Sequence, residues 1–211
     1  MRPILPMVVV GVLAAAGPAA AQLGTDVTSL PGLDKAPPFE ADVAITSQTM
    51  PKPTAYHISY MGQKIRFDGQ GAEGQTFITR MDQGMVYLSQ GGNQWMKMSL
   101  AAMGGVGLSQ GSFRHTMRKV GQATVDGKLC DVYESRSDDG STSSTNYLYH
   151  DVPVRSYVRG PQGATTVEYR NLRIGSVSAS LFELPAGAQV TSMEEMMQGL
   201  MGNPSLKGLT P

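Results

Sequence analysis

Cysteine is almost missing from this 211-residue chain: Cys130 stands alone, so no internal disulfide can form. In an oxidising compartment a lone thiol is either buried or joined to another molecule. The alternating stretch Leu129-Cys130-Asp131-Val132-Tyr133 favours burial on a strand. Histidine is nearly as scarce. His57, His115 and His150 fall on separate strands or strand ends, without a second ligand type at metal-site spacing. The neighbours His150 and Asp151 would face opposite sides of a strand and cooperate poorly. Surplus charge is absent as well: 17 Lys and Arg balance 17 Asp and Glu, which gives nucleic acid no basic footprint to meet. The serines form no G-x-S-x-G elbow, and Gly104, Gly105 and Gly107 lack the lysine of a phosphate cradle. Neither catalysis nor a cofactor or metal is expected.

Long apolar runs are missing too. The longest, Ile4 to Ala16, falls short of the ~20 residues of a membrane span and is flanked and broken by Pro3, Pro6 and Pro18. With Arg2 before it and Ala19-Ala20-Ala21 after it, this run has the layout of a secretory signal peptide over residues 1–21. Cleavage between Ala21 and Gln22 would release a periplasmic or secreted protein. No cysteine follows the cut, so the mature chain is expected to carry no membrane anchor. Roughly 190 residues remain, the size of one domain.

What is present is alternation with period two. After an irregular leader over 22–38, rich in Pro and Gly, Phe39, Ala41, Val43 and Ile45 alternate with Glu40, Asp42, Ala44 and Thr46. Tyr56, Ile58 and Tyr60 follow, then a turn at Met61-Gly62-Gln63 and the strand Lys64 to Asp68. Thr76 to Met81 and Met85 to Leu88 flank Asp82-Gln83-Gly84, a hairpin loop of the kind that needs glycine. Gly91-Gly92-Asn93 turns the chain into Gln94 to Met98. Leu100 to Gly111 is too glycine-rich for a firm helix. Alternation resumes over Phe113 to Val120, Lys128 to Ser135, Tyr147 to His150, Val154 to Arg159 and Thr165 to Ile174, with a polar loop over Ser137 to Thr145.

This pattern predicts a mainly β fold: a curved antiparallel half-barrel of about ten strands over 39–190, covered by one or two short helices. The tail, 191–211, changes period. Met193, Met196, Met197, Leu200 and Met201 recur at helical spacing behind Thr191 or Ser192 and Glu194-Glu195, a plausible helix start. Twelve of the 14 methionines lie beyond the presequence. Thioethers suit a soft metal such as Cu(I), but no histidine accompanies them near the tail, so packing or ligand lining is the favoured use. Arg114, His115, Arg118 and Lys119 form a basic segment that reads as a solvated outer face or as a rim for an anionic partner. Alternation nominates Val43, Ile45, Ile58, Phe67, Met85, Tyr87, Trp95, Met117 and Tyr147 as lining of a cavity, and the tail adds Met193, Met196 and Met197.

Several motifs then carry a resemblance. They are the opening strand Glu40-Ala41-Asp42-Val43 to Ser47, the strand Gly62 to Asp68, and the pair around Thr79 to Tyr87. The hairpin Val125 to Tyr133, of the form V-x-G-x-x-C-x-x-Y, and the closing Leu181-Phe182-Glu183-Leu184-Pro185-Ala186-Gly187 complete them. In this order they resemble a family of exported bacterial proteins akin to the LolA/LolB/LppX-like carriers of lipoproteins and lipids. The resemblance covers roughly Phe39 to Gln189. It implies a half-barrel whose concave, apolar side takes acyl chains, each buried CH₂ contributing about 0.8 kcal/mol. Two partners therefore stand open: a lipid or lipoprotein acyl chain, or an envelope protein meeting a module whose concavity is filled by its own side chains.

Overall fold

The computed structural model describes residues 35–49, 52–70, 74–100, 115–137, 140–161, 163–193 and 195. Two antiparallel meanders make up a single curved, unclosed sheet. The first runs through β1 (Phe39–Ser47), β2 (Thr54–Met61), β3 (Lys64–Gly69), β4 (Thr76–Arg80), β5 (Met85–Ser89) and β6 (Gln94–Ser99). The second runs through β7 (His115–Val125), β8 (Lys128–Ser137), β9 (Ser143–Tyr149), β10 (Val152–Gly160) and β11 (Gly163–Ile174). β11 returns to pair with β1, so the two meanders meet at the middle of the sheet. A short 3₁₀ helix (Ala179–Phe182) then leads to β12 (Gln189–Ser192), which lies parallel to β6 at the far edge.

Local chemistry accounts for most of these elements. The β7–β8 loop is Asp126-Gly127, both at positive φ (47° and 74°), the two-residue geometry whose twist matches that of the flanking strands. His150 and Asp151 make the equivalent loop between β9 and β10 at φ 50° and 62°. They thus form a turn, not a strand end, and the His150 ring packs edge-on against Tyr149 at 4.2 Å. Three bulges, at Glu40/Asp42, Lys119/Gly121 and Pro153/Arg155, each add a residue to one strand and increase the local bend.

The structure confirms a mainly β, curved antiparallel sheet and revises its details. Among the described residues there are twelve strands where about ten were expected, and one pair, β6–β12, is parallel. Strand β7 runs unbroken through Thr124 and Val125, and the Ser137–Thr145 loop shrinks because β8 reaches Ser137 and β9 begins at Ser143. A 3₁₀ turn is the only complete helix among the described residues. Just after Ser192 the backbone is helical at Met193 and Glu195. The Glu195 N–H donates to Ser192 Oγ and the Ser192 N–H to Glu195 Oε2, both at 3.0 Å, a reciprocal cap of the first turn. The rest of that tail, the expected signal peptide, most of the leader and the Gly-rich segment after Leu100 lie outside the described residues.

Candidate functional site

Strand register sorts the side chains onto two faces. On one, Ala41, Ile58, Phe67, Phe77, Leu88 and Met96 stand opposite one another in a row across six strands. Beside it runs Phe39, Tyr60, Ile65, Thr79, Val86 and Met98. Val43 extends the surface between Tyr56 and Tyr169, and Ile45 pairs with Val167. Phe39 stacks on Tyr60 at 5.2 Å, and Tyr56 meets Phe67 edge-on at 6.5 Å. Burial pushes the Tyr56 and Tyr169 phenols above their ordinary range, so both stay neutral. We call this surface the apolar face. Each fully buried side chain on it contributes roughly 1.5–3 kcal/mol.

Of the residues nominated from the sequence, Val43, Ile45, Ile58 and Phe67 belong to this face and pack in one cluster. Met85, Tyr87 and Trp95 do not. They stand opposite Ser99, Lys97 and Ser89, on the other side of the sheet. Tyr147 also lies there, in register with Arg155 and edge-on to Tyr157 at 6.0 Å. Met117 is placed on β7 opposite Ser135, and Met193 is helical and half-buried. The side chain of Met117, and Met196 and Met197 entirely, lie outside the described residues.

The second face of the first meander is crossed by the segment that links β11 to β12. A parallel partner for β6 requires such a crossover. Phe182, 1% exposed, plugs it into a cluster with Ile78 and Trp95, which Leu181, Leu184 and Ala188 flank. Two arginines pin the crossing. Arg66 donates to the Leu181 carbonyl at 2.9 Å and forks onto both oxygens of Asp68. Arg80 forks onto Asp82 at 2.9 and 2.8 Å and reaches Glu183 at 2.9 Å. Burial raises the Asp68 carboxyl, but hydrogen bonds from Arg66 and Thr76 outweigh it and hold the group below the usual carboxylate range. The Arg80 hydrogen bond does the same for Asp82. At the end of the crossing Gly187 takes φ 75°, and its carbonyl accepts from Asn93 Nδ2. The L-F-x-x-P-x-G motif is therefore a strap, and we call this side the strap face. Alternation marks neither the strap nor its arginine anchors, because Arg66 and Arg80 reach it across more than a hundred residues of chain.

His57 joins two strands. His57 Nδ1 lies 2.9 Å from Asp42 Oδ1, and Asn171 Nδ2 donates to the other oxygen at 2.7 Å. These two contacts hold the Asp42 carboxyl below its ordinary range. Glu40 takes bonds from Ser59 and Arg173. His57 sits within β2, a strand position as read from the sequence, and ties that strand to β1. Among the described residues no three His, Cys, Asp or Glu side chains converge to hold a metal ion. The basic segment is matched across strands, Lys119 with Asp131 at 2.6 Å and Arg118 with Glu134 at 3.3 Å. Cys130 is fully buried, donates to the Lys128 carbonyl at 3.3 Å, and has its thiol pushed up by burial. That combination keeps it protonated and unreactive. A cavity of about 690 Å³ lies over β7–β9, walled by Arg118, Glu134, Arg136, Ser135, Ser143 and Ser144 among others.

No family model and no curated protein matches this chain. Solved structures do. One is an uncharacterised conserved protein from Thermus thermophilus, with 14% identity over 75% of this chain and 92% of that one, at a TM-score of 0.54. MucB of Pseudomonas aeruginosa, solved with MucA, has 14% identity over 76% of this chain and 60% of that one, at 0.52. The Mycobacterium tuberculosis lipoprotein LppX is also similar, at 11% identity over 70% and 91% and a TM-score of 0.43. The chain thus spans less than two thirds of the MucB chain. What the first two share with this chain is the fold.

Proposed function

We propose that this chain is a non-enzymatic, exported binding protein whose apolar face takes a lipid or the acyl chain of a lipoprotein. The carrying observation is the uninterrupted apolar row from Ala41 to Met96, which offers a chain-like ligand a path across six strands. Transfer of a methylene from water to such a surface contributes about 0.8 kcal/mol, so a long acyl chain needs no charged contact to be held. The signal-peptide pattern supports the periplasm as the place of work. The buried side chains of the apolar cluster are between 0 and 8% exposed, so a ligand reaches them by displacing contacts they already make.

A second reading has its own support. MucB, similar in fold, is solved in complex with MucA, which favours an envelope-protein partner for a module whose apolar face stays filled. Native mass spectrometry of protein purified from periplasm separates the two. The first reading expects co-purified lipid and saturable uptake of a fluorescent fatty acid; a bare protein mass with no uptake overturns it in favour of the second.

A further inference from the structure

The apolar face changes character beyond β11. One register row runs Ile45, Val167, Ser156, Asn146, Tyr133, Lys119, from an aliphatic pair to a hydroxyl, a carboxamide, a phenol and an ammonium. Ser156 and Asn146 are each only 2% exposed. The Ser156 hydroxyl is buried without any hydrogen-bond partner in the protein. Asn146 Nδ2 donates to Ser144 Oγ at 2.8 Å, and Ser144 shares a hydrogen with Ser135 Oγ at 2.7 Å. Ser135 and Ser144 also belong to the wall of the 690 Å³ cavity. A string of uncharged polar groups therefore leads from the margin of the apolar face to that cavity.

Burying a hydroxyl with nothing to receive its hydrogen is unfavourable, so such a group usually has a partner that the protein itself does not supply. The chemistry of that partner follows from the row. The Ser156 O–H is a donor without an acceptor, and the Asn146 amide beside it keeps a second N–H hydrogen after the one given to Ser144. No ionised side chain stands in the row before Lys119, and Lys119 is held by Asp131 at 2.6 Å. An ionised headgroup at Ser156 would lose its water and gain no countercharge. We propose that Ser156 and Asn146 hydrogen-bond the ester or amide carbonyl at the polar end of an acyl ligand whose chain lies on the apolar face. This rests on the ligand-binding reading above and adds the chemical class of the ligand: a neutral acyl ester or amide.

The test compares monopalmitin, palmitate and hexadecane by displacement of an environment-sensitive fluorophore from the wild-type protein and from Ser156→Ala. Monopalmitin should bind more tightly than palmitate, and Ser156→Ala should weaken monopalmitin about fivefold. Hexadecane should bind both proteins equally. Equal monopalmitin affinity in the two proteins, or palmitate binding as tightly as monopalmitin, overturns the carbonyl site while hexadecane binding sustains the apolar face. Failure of all three overturns the reading beneath it. Thermal melting supplies the control: Ser156→Ala should melt at the wild-type temperature or above, and a lower melting point would show that the hydroxyl serves the fold instead.

Discussion

Phe182→Ala is expected to lower the unfolding free energy by about 3–5 kcal/mol, the cost of emptying a fully buried aromatic site. For a chain of this size that corresponds to a fall in Tm of roughly 10 °C. The side chain is 1% exposed and closes the cluster it forms with Ile78 and Trp95. Its loss frees the strap, and with it the edge strand β12, whose pairing with β6 spans only Gln189 to Ser192. Trp95, the sole tryptophan, is therefore a local reporter. Its emission should move to longer wavelength in Phe182→Ala, and amide exchange should quicken at the β6 residues that face β12. Phe182→Leu, which keeps most of the volume, should cost less than about 1.5 kcal/mol. A Phe182→Ala protein with wild-type stability and unchanged emission would mean that the strap contributes nothing to the fold.

The second large effect is electrostatic and geometric. Arg80 is 7% exposed, forks onto Asp82, and holds Glu183 on the strap. Removing one partner of a buried pair usually costs about 3–5 kcal/mol. Here the orphaned carboxylates can rehydrate, since the side chains of Asp82 and Glu183 are 32% and 58% exposed. Arg80→Met is therefore expected to cost about 2–3 kcal/mol after that discount. Arg80→Lys retains the charge and loses the planar fork that serves both carboxylates, so about 1–2 kcal/mol is expected. Glu183→Gln, at the exposed end, should cost no more than about 1 kcal/mol. Denaturant melts of the three variants check this order. Arg80→Lys matching the wild type, or Glu183→Gln matching Arg80→Met, would contradict it.

Alternation made the strands legible, because one buried face imposes period two wherever it occurs. It told which residues of a strand share a side, but not which side of the sheet that is. Met85 and Tyr87 illustrate the gap. Four residues separate β4 from β5, and the register they set puts Val86 opposite Thr79 and Leu88 opposite Phe77. A shift of one residue would have turned Met85 and Tyr87 to the apolar face. In β9 the same parity brings Asn146 and Leu148 inward and leaves Tyr147 outside. Serine and asparagine on a strand read as solvent-facing, so the polar margin around Ser156 gave no signal of its own. Strand β12 was equally hidden. Gln189, Val190 and Thr191 are all exposed, so no alternation marks them, and their partner β6 lies almost a hundred residues earlier in the chain. The motif Leu181 to Gly187 was visible as a pattern, but its work as a strap depends on Arg66 and Arg80, whose contacts with it only the fold creates.

The division between the two faces carries the whole account, and methyl resonances can read it directly. Val43, Ile45, Ile58 and Ile65 lie on the apolar face, whereas Ile78 sits beneath Phe182 on the strap face. In a titration of isotopically labelled protein with monopalmitin, the four apolar-face methyl groups should shift together and saturate while Ile78 stays in place. Shifts centred on Ile78 with the other four unmoved would place the ligand on the wrong side of the sheet and contradict the account.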